Sequence, residues 1–189
     1  MRGANPLLLL FYYFWSALSL VYCTRKLKTP FKFAKIYRMD TSLTPQKDYF
    51  PPMHTAEHIL NQTMVRLFGC ERSLTNHIEK NKSKCDYFLP LAPTEEQLRE
   101  VEDMVNDVIA GQLPVTAEEL PREVAEKSVD LSRLPPEAGN TVRLVRIGGY
   151  DVCPCIGKHV TNTREIGHFK IISWSYQDGK LRIRYKLED

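Results

Sequence analysis

His54 and His58 stand four residues apart in "PPMHTAEHIL", and Cys155 and His159 stand four apart in "CPCIGKHV". The chain has five histidines, and three of them fall in these two pairs, about a hundred residues apart. Histidines at i and i+4 of a helix point the same way, one turn apart, which suits two bonds to one metal ion. The zincin motif needs Glu directly after the first His, but Thr55 stands there and Glu57 comes later. Cys155 and His159 offer a thiolate and an imidazole, the two further ligands that a tetrahedral Zn2+ requires. Gly157, between them, is expected to let the backbone turn tightly enough for both side chains to converge. Cys153 competes with Cys155, because alternation along the preceding strand can bring it to the same side.

The elements that must position these residues can be read from pattern. Pro51-Pro52 marks a helix start, and Ala56, Ile59, Leu60, Met64 and Leu67 recur at helical spacing up to Gly69. Both histidines therefore fall in the first turns, on one face. Lys84 to Pro90 reads as a short strand. Thr94 with Gln97 forms a capping box for a helix through Ala110 that stops at Gly111. Residues 112–140 are rich in proline and glycine, with a short helix expected near Arg122 to Lys127. "TVRLVRI" alternates as a half-buried strand does. "IISWSYQDGKLRIRYKLE" is a hairpin turned by Asp178-Gly179. In its second strand Arg182, Arg184 and Lys186 share one face, open to solvent or to nucleic acid. Helices mixed with antiparallel strands, without βαβ alternation, make the fold α+β.

A length of 189 residues suffices for one domain with a proper core. The net charge of +3 permits a nucleic-acid partner without arguing for one. Five irregularly spaced cysteines fit thiols or metal ligands in a reducing compartment better than a disulfide framework. Residues 6–23, "PLLLLFYYFWSALSLVYC", are nearly uncharged, yet only Arg2 precedes them while six basic residues follow up to Arg38. Three readings are open. The first is that residues 1–38 lie outside the folded domain, with Met39 as the natural start and 39–189 as the domain. The others are a membrane anchor through residues 6–23 and a cleaved signal.

"HTAEHILNQTMVRLFG" and "NTVRLVRIGGYDVCPCIGKHVTNTREIGHFKIIS" resemble the two hallmark blocks of the editing domain of alanyl-tRNA synthetases and of the free-standing AlaX proteins. The editing domain of threonyl-tRNA synthetase is a more distant likeness. The resemblance covers Pro51 to Glu188 and implies that family's fold, similar to the second additional domain of threonyl- and alanyl-tRNA synthetases. It also implies one Zn2+ held by His54, His58, Cys155 and His159, and it selects Cys155 over Cys153. Ile156 and Lys158 replace the usual Gly and Thr of C-G-G-T-H, and both are expected against the metal. Glu79 stands where AlaX proteins carry a Gly after a pocket histidine, here His77.

The activity the resemblance implies is hydrolysis of the ester in mischarged tRNA, Ser- or Gly-tRNA(Ala) first and Ser-tRNA(Thr) second. His54 and His58 would be catalytic, with His77, Gly157 and Lys158 binding substrate. The partner would be the tRNA acceptor end, with no stable protein partner, in the cytoplasm and away from membranes unless residues 1–38 act as an anchor. His54 at the start of its helix and Gly157-Lys158 on a turn imply an open cleft. Competing readings are a tRNA- or protein-binding module with a structural zinc, and a metal hydrolase acting on another small ester or amide.

Overall fold

Among the described residues, Pro51 and Pro52 open the first helix, where their missing N–H groups leave no intrahelical bond unmade. The computed structural model describes residues 49–73, 75–132, 134 and 139–188. The expectations for residues 1–38, including the stretch 6–23 and a start at Met39, lie outside the described residues. Helix α1 spans Pro51–Phe68 and stops at Gly69, whose φ of +62° and N–H bond to the Val65 carbonyl form a left-handed cap. Strands β1 (Thr75–His77) and β2 (Ser83–Phe88) follow, then helix α2 (Glu95–Ala110). Thr94 Oγ1 accepts from the Gln97 N–H at 3.2 Å and Gln97 Oε1 accepts from the Thr94 N–H at 2.9 Å, the reciprocal cap read from the sequence.

Strand β3 (Val115–Pro121) and the one-turn helix α3 (Arg122–Ala125) occupy the stretch for which only a short helix was expected. β3 escapes pattern reading because it is largely exposed and pairs only with β4 (Thr141–Ile147), so no alternating core face marks it. β5 (Asp151–Pro154) completes a three-stranded sheet in the order β3-β4-β5. A 3-10 turn at Thr163–Ile166 leads into β6 (His168–Gln177) and β7 (Lys180–Glu188). These two strands complete the second sheet, in the order β1-β2-β7-β6. Asp178 and Gly179 have φ of +52° and +77°, as a type I′ turn requires. All pairings are antiparallel, and the fold is α+β as expected.

The main core lies between α1, α2 and the four-stranded sheet, where Met53, Ile59, Leu60, Val101, Phe169 and Ile183 are fully buried. A smaller cluster of Ala125, Leu131, Val142 and Leu144 packs beside the three-stranded sheet. Among the described residues, no helix is long and apolar enough to cross a membrane.

On β7, Leu181, Ile183 and Tyr185 face the core, while Arg182 makes a forked ion pair with Asp86 on β2, both contacts at 2.7 Å. That guanidinium holds the Asp86 carboxyl below its ordinary value. Stability from this pair is therefore present above the unfolded carboxylate pKa of about 4, and it is lost as pH falls through the lower folded value. Urea unfolding of Asp86→Asn at pH 7 should show a loss of about 1–2 kcal/mol, shrinking toward zero in strong acid. A deficit that stays constant with pH would contradict the ion-pair account.

Candidate metal centre

His54, Glu57, His58 and Asn61 recur at helical spacing along α1 and form a buried polar row, opposite the apolar row that enters the core. Each member needs a partner from elsewhere in the chain. His54 Nδ1 faces the Lys158 carbonyl at 3.1 Å, so it is the protonated nitrogen and Nε2 keeps its lone pair. That Nε2 lies 3.5 Å from Cys155 Sγ.

His159 is fixed by a second backbone-linked device. Thr55 Oγ1 has one hydrogen, donated to the Pro51 carbonyl at 2.8 Å, and it accepts the Val160 N–H at 3.2 Å. His159 Nδ1, 3.3 Å from the same oxygen, must therefore be the donor. This leaves His159 Nε2 unprotonated, 3.4 Å from Cys155 Sγ. Donors bound to one tetrahedral zinc, with Zn–N about 2.05 Å and Zn–S about 2.3 Å, stand about 3.5 Å apart. The two nitrogen–sulfur separations fit that value.

One ligand atom from each of His54, His58, Cys155 and His159 lies within 4.8 Å of the others. The four residues proposed from sequence thus converge. Cys153 goes elsewhere: its Sγ lies 3.1 Å from His58 Nδ1, beside Asp151 Oδ2 at 3.7 Å from the same nitrogen. Both oxygens of Asp151 accept from Arg72, at 2.7 and 3.1 Å, and Cys153 and Asp151 together flank the His58 imidazole; with His58 they form a second group whose ligand atoms lie within 4.8 Å of one another.

The loop carrying Cys155 and His159 is held on both sides. Arg143 on β4 donates to the Cys155 and Gly157 carbonyls at 2.7 and 3.0 Å, and the Val115 N–H donates to the Thr161 carbonyl at 2.9 Å. The Gly157 N–H donates to Cys155 Sγ at 3.4 Å, which favours its thiolate. Gly157 is needed for space. A Cβ there would collide with the His54 ring, so the bend at Gly157 is joined by a second demand, the close approach of an imidazole.

Burial lowers the pKa of all three histidines: His159 to about 3, with His54 adding to the effect, and His58 far down, with His159 as the next cause. They are neutral imidazoles at neutral pH, the form that binds metals. Burial pushes the Cys155 thiol up and the Cys153 thiol much further. Glu57 is pushed up to about 7 by burial, partly offset by Arg72 and by hydrogen bonds from Asn61 and Asn76.

Three expectations are corrected. The site is not open at His54, since His54 and His58 are 5% and 3% exposed; it opens only on the side of Cys155 and His159. Ile156 is 75% exposed and not packed against the cluster, because it precedes the turn at Gly157 and points to solvent. Lys158 contributes its carbonyl to His54, while its side chain lines a neighbouring cleft of about 420 Å³. His77 sits on edge strand β1, where its Nε2 meets Glu79 Oε1 at 2.6 Å; the cleft is lined by Ile78 and Glu79 next to it. Sequence reading set Glu57 aside as not the zincin glutamate and gave Asn61 no role, although both fall at helical spacing from His54. It also passed over Thr55, Arg143 and the Arg72–Asp151 pair, which no local pattern marks.

A family model described as "Threonyl and Alanyl tRNA synthetase second additional domain" matches residues 142–184, from β4 through the Cys155–His159 loop into β7. This stretch of the chain is similar to that additional domain. Alanine–tRNA ligases align over a longer stretch. The chloroplastic/mitochondrial ligase of Ostreococcus lucimarinus is 37% identical over 121 residues, 64% of this chain and 13% of that protein. The ligase of Caldicellulosiruptor saccharolyticus is 36% identical over 125 residues, 65% of this chain and 14% of its own. That of Methanococcus maripaludis is 30% identical over 136 residues, 70% and 15%. The chain thus spans only 13% to 15% of the length of these relatives.

The geometry of the cluster leads to two predictions. Zinc analysis of the purified protein should find the metal lost from Cys155→Ala and retained by Cys153→Ala; the opposite pattern would overturn the ligand set. Thr55→Val should weaken zinc binding about 10- to 100-fold in chelator competition, with Thr55→Ser restoring it. Unchanged affinity in Thr55→Val would remove the tautomer argument.

Proposed function

We propose that this domain binds one Zn2+ through His54, His58, Cys155 and His159 and hydrolyses the ester of mischarged tRNA. Ser- or Gly-tRNA(Ala) is the first candidate substrate, and Ser-tRNA(Thr) is second. The observation that carries the reading is the convergence of three neutral imidazoles and a thiol, with the protonated nitrogens of two rings assigned, at the half-exposed end of a domain related to alanyl-tRNA synthetases. A bound zinc would supply a fixed positive centre for an ester carbonyl or a water.

The chain's own residues do the remaining work. Aminoacyl esters are already labile, so holding the ester in place supplies much of the acceleration. His54 and His58 fix the buried half of the site, while the Cys155–His159 loop leaves the approach side accessible. In the reaction water attacks the ester carbonyl, the bond from that carbon to the ribose oxygen breaks, and the freed hydroxyl keeps a proton from the water. Editing of this kind serves where small side chains differ too little for one binding site to separate them. The reading implies the compartment of translation, the cytoplasm.

One specific observation favours a second reading. Four protein ligands normally close a zinc site, and His54 and His58 are buried, as in a structural zinc of a tRNA- or protein-binding module. Deacylation of a panel of mischarged tRNAs by the zinc-loaded chain separates the two. We expect release of serine or glycine from tRNA(Ala), abolished in His54→Ala while the circular dichroism spectrum stays near wild type. A fully zinc-loaded wild type that releases no amino acid from any member of the panel would leave the binding module as the function.

A further inference from the structure

The four-stranded sheet ends on two edges, and they are treated differently. β1 is 3 residues long, too short to template another strand. β6 is 10 residues long and pairs with β7 on one side only. Side chains of α2 cover the other side over its first half. Asn106 exchanges two 2.9 Å hydrogen bonds with the Phe169 N–H and carbonyl. Glu102 accepts from the Ile171 N–H at 2.7 Å and from Lys170 Nζ at 2.6 Å. This cover stops at the bulge of Ile172, where a cleft of about 460 Å³ parts the first turns of α2 from the strand.

The second half is open. Gln177 and Lys180 close the type I′ hairpin and bond to each other. Counting back along the register, Tyr176 and Trp174 turn their backbone N–H and C=O groups away from β7. Among the described residues nothing takes these groups. Residues 171–177 contain no charge and no proline, the usual protection of a free edge, and Ile172 is 43% exposed. Edge strand β3, by contrast, carries Glu118 and Glu119.

We propose that this half-strand pairs antiparallel with its counterpart in a second copy of the chain, about a two-fold axis at Trp174. The sequence is close to a palindrome about that residue: Lys170-Ile171-Ile172-Ser173-Trp174-Ser175-Tyr176-Gln177-Asp178. A two-fold contact demands such self-complementarity, because each residue meets the position equally far beyond the axis. Ser173 meets Ser175, Ile172 meets Tyr176, and the exposed Lys170 comes beside the exposed Asp178. The two copies of Trp174 exchange their open N–H and C=O groups. Moving the axis to Ser175 would set Lys170 against Lys180, so charge selects the register. The inference is independent of the chemistry at the metal cluster.

Sedimentation velocity of the full chain over rising concentration tests the pairing. We expect a reversible shift from monomer to dimer, with the amides of Trp174 and Tyr176 gaining protection from hydrogen exchange as the dimer forms. Ile172→Lys should weaken association several-fold. Asp178→Asn gives the more specific signature, since Asn also accepts the positive φ of the turn. It should weaken association roughly fivefold in the wild-type background, from two exposed charge pairs per dimer, and strengthen it in a Lys170→Glu background. Circular dichroism checks that each variant is folded. A chain that stays monomeric at every concentration would overturn the pairing and leave the edge to a strand of another protein. So would a dimer in which Trp174 and Tyr176 stay unprotected, or in which Asp178→Asn acts alike in both backgrounds.

Discussion

A buried row of polar side chains on one helix is the constraint that the rest of the structure answers. His54, Glu57, His58 and Asn61 are each at most 5% exposed. Leaving one such group without a partner costs about 1–3 kcal/mol. Four together would consume most of an ordinary domain's stability of about 5–15 kcal/mol. The partners come from far along the chain: the Lys158 carbonyl for His54, Asn76 for Glu57, Cys153 and Asp151 for His58, and the Ser73 N–H for Asn61 at 2.9 Å. The paths of β1, β5 and the loop after β5 are thus set by the polar face of α1 as firmly as the four-stranded sheet is set by its apolar face.

Charge is arranged to keep the imidazoles of the cluster neutral. Arg72 and Arg143 both disfavour protonation of the nearby imidazoles, and each is committed, Arg72 to Asp151 and Arg143 to two loop carbonyls. Three imidazoles whose rings pack 4.2 to 5.1 Å apart would repel one another strongly if charged. Burial and mutual contact therefore favour the same state, three neutral nitrogen donors around one sulfur. Neutral imidazoles are what a zinc ion needs and they arise from packing, whereas the Cys155 thiol, which burial pushes up, must release its proton on binding.

How much of this was legible in the sequence depends on how local each signal is. The Thr94–Gln97 cap, the Gly69 stop and the Asp178-Gly179 turn are complete within a few residues, and each was readable. The two ligand pairs were readable because each spacing is local and their chemistry is complementary. β3 was not, since an exposed edge strand has no buried face to impose a period. The Arg72–Asp151 pair, 79 residues apart, and the grip of Arg143 on the Cys155–His159 loop are products of the fold, and the types of those residues do not announce them. Thr55 is the instructive case. Its identity reads as an ordinary helix residue, and only three simultaneous neighbours turn its single hydrogen into the reason that His159 has a determined tautomer.

The unusual residues of the ligand loop follow from the same logic. At position 156 the side chain faces solvent, so the geometry of Cys155 does not depend on its identity, and an isoleucine is tolerated. At position 158 the contact with His54 is made by the backbone carbonyl, which every residue type offers. Position 157 alone is restricted, because the His54 ring occupies the volume a Cβ would take. The loop thus separates two duties. Residues 155, 157 and 159 are bound to the cluster by chemistry or by space, while residues 156 and 158 direct their side chains outward, to solvent and to the cleft. Variation at 156 and 158 can then change what approaches the cluster without changing how the cluster is held.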